Sequence, residues 1–231
     1  MPTLIVILMM SKKAILIGAT GLIGHNLLIK LLANENYKAV LVISRKALNI
    51  NHPKLKVLII NFDELANYAS EINGDDVFCC LGTTIKQTPD LSSYRKIDYQ
   101  YPLDVANIAF ANGATTYHLV SSMGAHVKSK LFYSRTKGEV ERDLQKIPFL
   151  SIHIYRPSLL DGNRKEHRSA ENIFIGLMRL INPILIGPLK KYRSIKIEKV
   201  ADAMLIKGTA NETGVHIYAS DQIAEIATSG R

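Results

Sequence analysis

The 231-residue chain is nearly devoid of cysteine: it has two, Cys79 and Cys80, side by side in an apolar run. Neighbours on a strand face opposite ways, so a disulfide between them would be badly strained. The pair reads as two reduced, packed thiols of a cytoplasmic protein. None of the seven histidines sits with cysteine or carboxylate at metal-ligand spacing, so no metal is expected. The apolar stretch Met1 to Met10 is about half the ~20 residues a membrane span needs. It has no basic region before it and no small-residue cleavage site, so neither a span nor a secretory signal is expected. It is an extra edge strand, a helix packed on a neighbour, or the product of an early start, with Met10 as an alternative beginning. Low-complexity linkers and internal repeats are also absent. Acidic residues are outnumbered, 20 against 29 Lys and Arg, for a net charge of +9. That balance suits a polyanionic partner, and a phosphorylated cofactor satisfies it. The basic residues are spread over several segments, with Arg164–Arg168 and Lys190–Arg193 reading as solvated loops, so no nucleic acid is expected.

What the chain does contain is ample apolar content, 47% hydrophobic against 21% charged residues, enough for one α/β domain with a small appendage. Its most informative stretch is Gly18-Ala19-Thr20-Gly21-Leu22-Ile23-Gly24, directly after the apolar run Ala14-Ile15-Leu16-Ile17. Three glycines at three-residue spacing between a strand and a helix let the backbone approach a pyrophosphate, and the helix N-terminus offers it free N–H groups. Further buried strands are predicted at Ala39–Ile43, Val57–Ile60, Val77–Leu81, Tyr117–Val120 and Phe149–Tyr155, with helices from Asp63, over Ser93–Ala111 and over Tyr133–Gln145. Continuous rather than alternating apolar runs imply a doubly wound parallel sheet of the Rossmann type, covered on both faces. This core is assigned to residues 11–160. From Asp161 the alternation weakens: helices are expected at Ile173–Ile181 and within Ile195–Gly208, then a short strand at His216–Tyr218 and a last helix from Gln222. Residues 161–231 read as a C-terminal, substrate-side extension packed on the same domain.

The polar motifs fall at the carboxyl ends of the strands, where such sheets bind ligands. Tyr133 and Lys137 are four residues apart and share a helix face. A nearby ammonium stabilises a phenolate, which makes a tyrosine useful for proton exchange with a carbonyl or an alcohol. Ser122, eleven residues earlier at a strand end, can bond the substrate oxygen as charge develops, although Ser121 is an equal rival by position.

Gly18, Gly21 and Gly24 with Ser122, Tyr133 and Lys137 resemble the short-chain dehydrogenase/reductase superfamily. Within it, the stretches Asp76–Thr84, Ser121–Ala125, Lys137–Glu141 and Arg156-Pro157 are similar to the atypical Tat-interacting-protein family, over about residues 13–163 and more weakly through Val200–Met204. The resemblance implies a nicotinamide dinucleotide, with Ser122, Tyr133 and Lys137 as the catalytic set and Lys137 also holding the nicotinamide ribose. Thr20, Leu22 and Ile23 belong with the glycines in the cofactor turn. Gly82, Thr83 and Thr84 would let the backbone pass close to the cofactor, Arg156-Pro157 would lie beside the nicotinamide, and Asn61-Phe62 stands where an aspartate usually meets the adenine. Asp98 replaces the usual asparagine of the central helix, which puts a proton relay there in doubt. Ser44-Arg45-Lys46 closes the second strand with no carboxylate, so Arg45 can grip a 2′-phosphate and NADP is expected over NAD. The reading is thus an NADP-dependent oxidoreductase for a small carbonyl or alcohol, possible as a homodimer. The alternative is an NADP-binding regulatory or redox-sensing protein without turnover. A sugar-nucleotide epimerase ranks lower because the segment after Pro157 is short.

Overall fold

The apolar runs become strands because β-branched and aliphatic side chains fit a pleated surface buried on both faces. The computed structural model describes residues 11–162 and 185–229. Strand β1 (Lys12–Ile17) leads to helix α1 (Leu22–Ala33), then β2 (Tyr37–Ser44) and β3 (Leu55–Ile59). A 3₁₀ segment, Phe62–Glu71, stands where a short helix was expected, and β4 (Asp76–Cys79) follows. The single helix anticipated over Ser93–Ala111 is instead three pieces: α2 (Leu91–Arg95), a π-helical turn Lys96–Gln100, and α3 (Tyr101–Ala111). Next come β5 (Thr116–Val120), α4 (Phe132–Leu144) and β6 (Ser151–Arg156). The C-terminal part holds β7 (Leu160–Asp161), a 3₁₀ turn Gly187–Tyr192, β8 (Ile195–Lys196), α5 (Ile197–Thr209), β9 (Gly214–Ala219) and α6 (Ser220–Ser229). The anticipated helix Ile173–Ile181, the cluster Arg164–Arg168 and the apolar stretch Met1–Met10 lie outside the described residues.

Seven described strands form one parallel sheet in the order β3-β2-β1-β4-β5-β6-β9, and β7 and β8 make a separate parallel pair. Strand β9 pairs with β6 from Ser151↔Gly214 to Arg156↔Ala219, so part of the C-terminal extension is a strand of the main sheet. The sheet divides two cores. On one face Ile15, Ile17, Val77, Tyr117 and Ile154 pack under Val105 and Val140 of α3 and α4. On the other, Leu16, Val42, Phe78 and Tyr155 meet Leu27, Leu28, Met204 and Ile223 of α1, α5 and α6. Each fully buried aliphatic side chain contributes roughly 1.5–3 kcal/mol. The chain turns outward from β1 in both directions, to β2 and to β4, and the gap above β1 and β4 is the topological switch point.

Candidate active site

The turn after β1 is built by exclusion of side chains. Gly18 has φ +83°, and a Cβ there would lie 2.5 Å from the backbone carbonyl of Cys80. A Cβ on Gly24 would stand 2.2 Å from the carbonyl oxygen of Gly18, so the strand end and the first turn of α1 touch with no room for a methyl group. Gly21 caps α1 without a side-chain hydrogen bond, and the first turn carries no acidic residue. The helix therefore presents its free N–H groups and positive end to the cleft, a setting that favours a phosphate.

That cleft encloses about 440 Å³ at the switch point. Its walls include Gly21, Leu22 and Ile23 from the turn, Cys80 to Ile85 after β4, Tyr94 and Asp98, Val120 and Ser121 after β5, and Tyr133 and Lys137 of α4. Lys137 is buried, and its Nζ lies 2.8 Å from Oδ1 of the fully buried Asp98. The other carboxylate oxygen of Asp98 accepts the Thr83 N–H at 2.8 Å. Burial alone would lower the lysine's proton affinity, but Asp98 first and Tyr133 second reverse this and hold it above the ordinary value. The ammonium thus persists in the interior, tied to the loop after β4. A Cβ on Gly82 would stand 3.6 Å from Asp98 and 3.7 Å from Lys137, filling the space in front of the pair. Uncapped helix, absent side chains and an interior cation together fit a nicotinamide dinucleotide laid across the switch point.

The two serines are separated by their partners. Ser121 lines the cleft, but its hydroxyl donates to the buried carboxylate of Glu141, which also receives a bidentate grip from Arg156. The Ser122 hydroxyl is buried and meets no hydrogen-bond partner among the described residues. A buried hydroxyl left free costs about 1–3 kcal/mol, and such groups gather where a ligand completes them.

Other anticipated residues fall around this centre or away from it. Gly82, Thr83 and Thr84 line the cleft, and Thr20 is exposed in the turn. Ser44 is buried at the end of β2 and its Oγ accepts the Lys46 N–H at 3.3 Å, while Arg45 and Lys46 project into solvent. Asn61 caps the 3₁₀ segment by accepting the Asp63 N–H, and Phe62 is buried against Tyr101 at 5.2 Å, so both side chains are committed elsewhere. Arg156, expected beside the nicotinamide, turns to Glu141 and lines a different depression with His126, Gly138 and Arg142. Pro157 is buried and accepts the Met123 N–H. Tyr94 and Leu160 line the cleft without having been anticipated. Tyr94 was findable, since it lies four residues before Asp98 and shares its helical face; Leu160 arrives only through tertiary folding. A larger depression of about 530 Å³, lined by Lys190, Arg193, Lys199, Asp221 and Glu225 among others, shares no wall residue with the cleft. It holds none of the catalytic candidates, so its size does not make it the active site. Among the described residues no cluster suits a metal ion, and no helix is long and apolar enough to cross a membrane.

No protein-family model matches the chain. It is 32% identical over 167 residues to protein HTATIP2 of Rattus norvegicus, covering 71% of this chain and 69% of that protein. It is 34% identical over 165 residues to the mitochondrial protein fmp52 of Emericella nidulans, covering 68% and 71%. Against the mitochondrial FMP52 of Candida albicans the identity is 28% over 223 residues, covering 93% of this chain and 97% of the other. The two FMP52 relatives are named mitochondrial, which contradicts the cytoplasmic location expected from the thiols, because unpaired cysteines report a redox state and not an address. Among solved structures, MoeE5 in complex with UDP-glucose and NAD superimposes with a TM-score of 0.67 at 14% identity, covering 94% of this chain and 81% of that one. The ADP-L-glycero-D-manno-heptose-6-epimerase of Helicobacter pylori gives 0.67 at 16%, covering 96% and 83%. At such identities the likeness is one of fold.

Proposed function

Since the chain belongs to the HTATIP2 and FMP52 family, an atypical branch of the short-chain dehydrogenase/reductases, we infer that it is an NADP-dependent oxidoreductase acting on a small carbonyl or alcohol. The observation that carries this reading is the buried Lys137 cation, held by Asp98, on the same cleft wall as Tyr133 and beside a glycine turn built for a pyrophosphate. Of the two serines Ser121 lines that cleft, while Ser122 does not line it and keeps a buried, uncommitted hydroxyl one residue on. A protein that only sensed a dinucleotide would need the turn and not the three catalytic groups. In this reading residues 11–160 carry the cofactor, and 161–231 serve the substrate side.

Gly18, Gly21 and Gly24 with the N-terminus of α1 would hold the pyrophosphate, Gly82 and Thr83 would flank the ribose, and Arg45 with Lys46 would meet a 2′-phosphate. When bound, the nicotinamide supplies or accepts the hydride. The hydroxyl of Tyr133, on the first turn of α4, gives the substrate oxygen its proton in reduction and removes it in oxidation. Ser122 donates a hydrogen bond to the same oxygen while it carries charge. Lys137, kept cationic by Asp98, favours that charge and orients the ribose. In this reading the strand ends and the first turns of α4 would hold these groups in place before the substrate arrives.

The test is a titration with NADPH and NADH, followed by a screen of aldehydes, ketones and alcohols that also contains UDP-glucose. Turnover of a carbonyl or alcohol that Tyr133→Phe abolishes, with NADPH binding retained, is the expected result. Full activity in Tyr133→Phe would overturn the catalytic assignment and bring forward a sensor role; turnover of the sugar nucleotide alone would favour an epimerase.

A further inference from the structure

Tyr94 is a second tyrosine of the cleft, and its hydroxyl is idle. The residue is 1% exposed, its ring lines the cleft, and its oxygen is buried with no hydrogen-bond partner among the described residues. Packing holds the ring instead: it meets Phe132, the residue before Tyr133, edge-on at 5.4 Å between centroids. The hydroxyl position is therefore set by apolar contacts, which leaves its hydrogen-bonding capacity for a ligand.

Apart from the exposed Gln87 side chain at the rim, the other polar groups nearest Tyr94 have partners or an assigned role. Asp98 divides its carboxylate between Lys137 and the Thr83 amide. The Thr83 and Thr88 hydroxyls bond each other at 2.9 Å. The Ser121 hydroxyl belongs to Glu141. In the proposed reaction Ser122 and Tyr133 both serve the one oxygen that reacts. Tyr94 lies on α2, four residues before Asp98, so it faces the same space as the Asp98–Lys137 pair. A phenol buried there without a partner is costly in the free protein and is relieved by a ligand oxygen.

We propose that Tyr94 is a specificity-determining residue whose hydroxyl binds a second oxygen of the substrate, so that the preferred substrates are carbonyl compounds bearing a neighbouring hydroxyl or carbonyl group. This rests on the oxidoreductase reading above and adds the substrate class to it. A site built to bond such an oxygen rejects the analogue that lacks it, because its own polar group is then left unpaired. Tyr133 handles the proton and Tyr94 the recognition; the two roles separate in kinetics, since loss of recognition depends on which substrate is offered.

The experiment uses the full chain with NADPH and matched ketone pairs: 2,3-butanedione with 2-butanone, and 2-hydroxyacetophenone with acetophenone. Tyr94→Phe removes one oxygen atom and keeps the ring against Phe132. It is expected to lose roughly ten- to a hundredfold in kcat/KM on the doubly oxygenated member of each pair, chiefly in KM. On the plain ketone the change is expected to be under about threefold, with NADPH affinity unaltered and the melting temperature unchanged or raised, because the unpartnered hydroxyl is gone. Equal losses on both members, or none on either, would overturn the assignment of Tyr94 while leaving the oxidoreductase reading intact. If the parent enzyme binds NADPH yet reduces no member of either pair, the small-carbonyl reading fails and the role of Tyr94 fails with it. A lowered melting temperature accompanied by losses on every substrate would assign Tyr94 to packing alone.

Discussion

Single side chains decide which cofactor fits and which groups can act on a proton. Arg45 and Lys46 follow a strand that ends in Ser44 rather than a carboxylate, and among the described residues neither makes an ion pair. Both are available to a 2′-phosphate, so NADPH is expected to bind tighter than NADH by about 1.5–3 kcal/mol, roughly ten- to a hundredfold. Arg45→Ala should remove most of that preference and leave NADH nearly unchanged in a fluorescence titration; equal affinities in the parent protein would overturn the NADP assignment. Lys137 carries more. Lys137→Ala strips the fully buried Asp98 of its counterion, so stability should fall by roughly 3 kcal/mol while NADPH binding also weakens. A melt and a titration of the same preparation check both, and a variant unchanged in either would show that the pair does not couple loop and cofactor as described. The spacing of Tyr133 and Lys137 announced in the sequence that they share a helix face, and both line the cleft. The difference between Ser121 and Ser122 was not legible there, because it comes from Glu141, twenty residues away, accepting the Ser121 hydroxyl while that of Ser122 has no partner among the described residues.

Secondary-structure elements bring these residues to one place, and two of them deserve different treatment from a sequence reader. The β1–α1 turn follows local rules, since glycine alone fits where strand and helix touch. Gly24→Ala would put a methyl carbon 2.2 Å from a backbone oxygen that cannot yield without moving the strand. Destabilisation of about 1–3 kcal/mol and loss of NADPH binding are expected, whereas Gly21→Ala, at 3.3 Å from the same oxygen, should cost less. Comparable melting temperatures for the two variants would contradict this packing. The segment Ser93–Ala111 shows the opposite case. Its apolar spacing reads as one helix, yet Lys96–Gln100 widens into a π turn at Asp98. Periodicity carries no sign of this, because the partners of Asp98 are Lys137 and the Thr83 amide, contributed by other elements. π turns of this kind are frequent at functional sites.

The whole molecule adds a property that no single element has. The register of the sheet sets Phe78, His118, His153 and His216 on four adjacent strands in line, with rings stacked at 4.5, 4.7 and 5.1 Å. Burial first and His153 second push His118 well below the ordinary imidazole range, and burial with His216 takes His153 down to about 4. Around them Lys12 and Lys207 oppose protonation, while Glu212 favours it at His153. An unfolded histidine takes its proton near pH 6.5, so between that value and about 4 the unfolded chain binds protons the folded one refuses. Stability is therefore complete above about pH 6.5 and falls below it by up to about 1.4 kcal/mol per pH unit for each such histidine. Urea midpoints at pH 7.5 and 5.5 should differ, and His153→Gln should narrow the difference; a flat profile in the parent chain would contradict the neutral stack. By itself the sequence determined the Rossmann-type class, the glycine turn, the tyrosine–lysine helix and the family, because these rest on local steric rules and short periodicities. Only the tertiary structure decided that β9 completes the sheet, that Arg156 serves Glu141, that Ser122 is the free hydroxyl and that Tyr94 joins the cleft. Each of those outcomes is a competition among partners far apart in the chain, settled by which groups the fold brings within bonding distance.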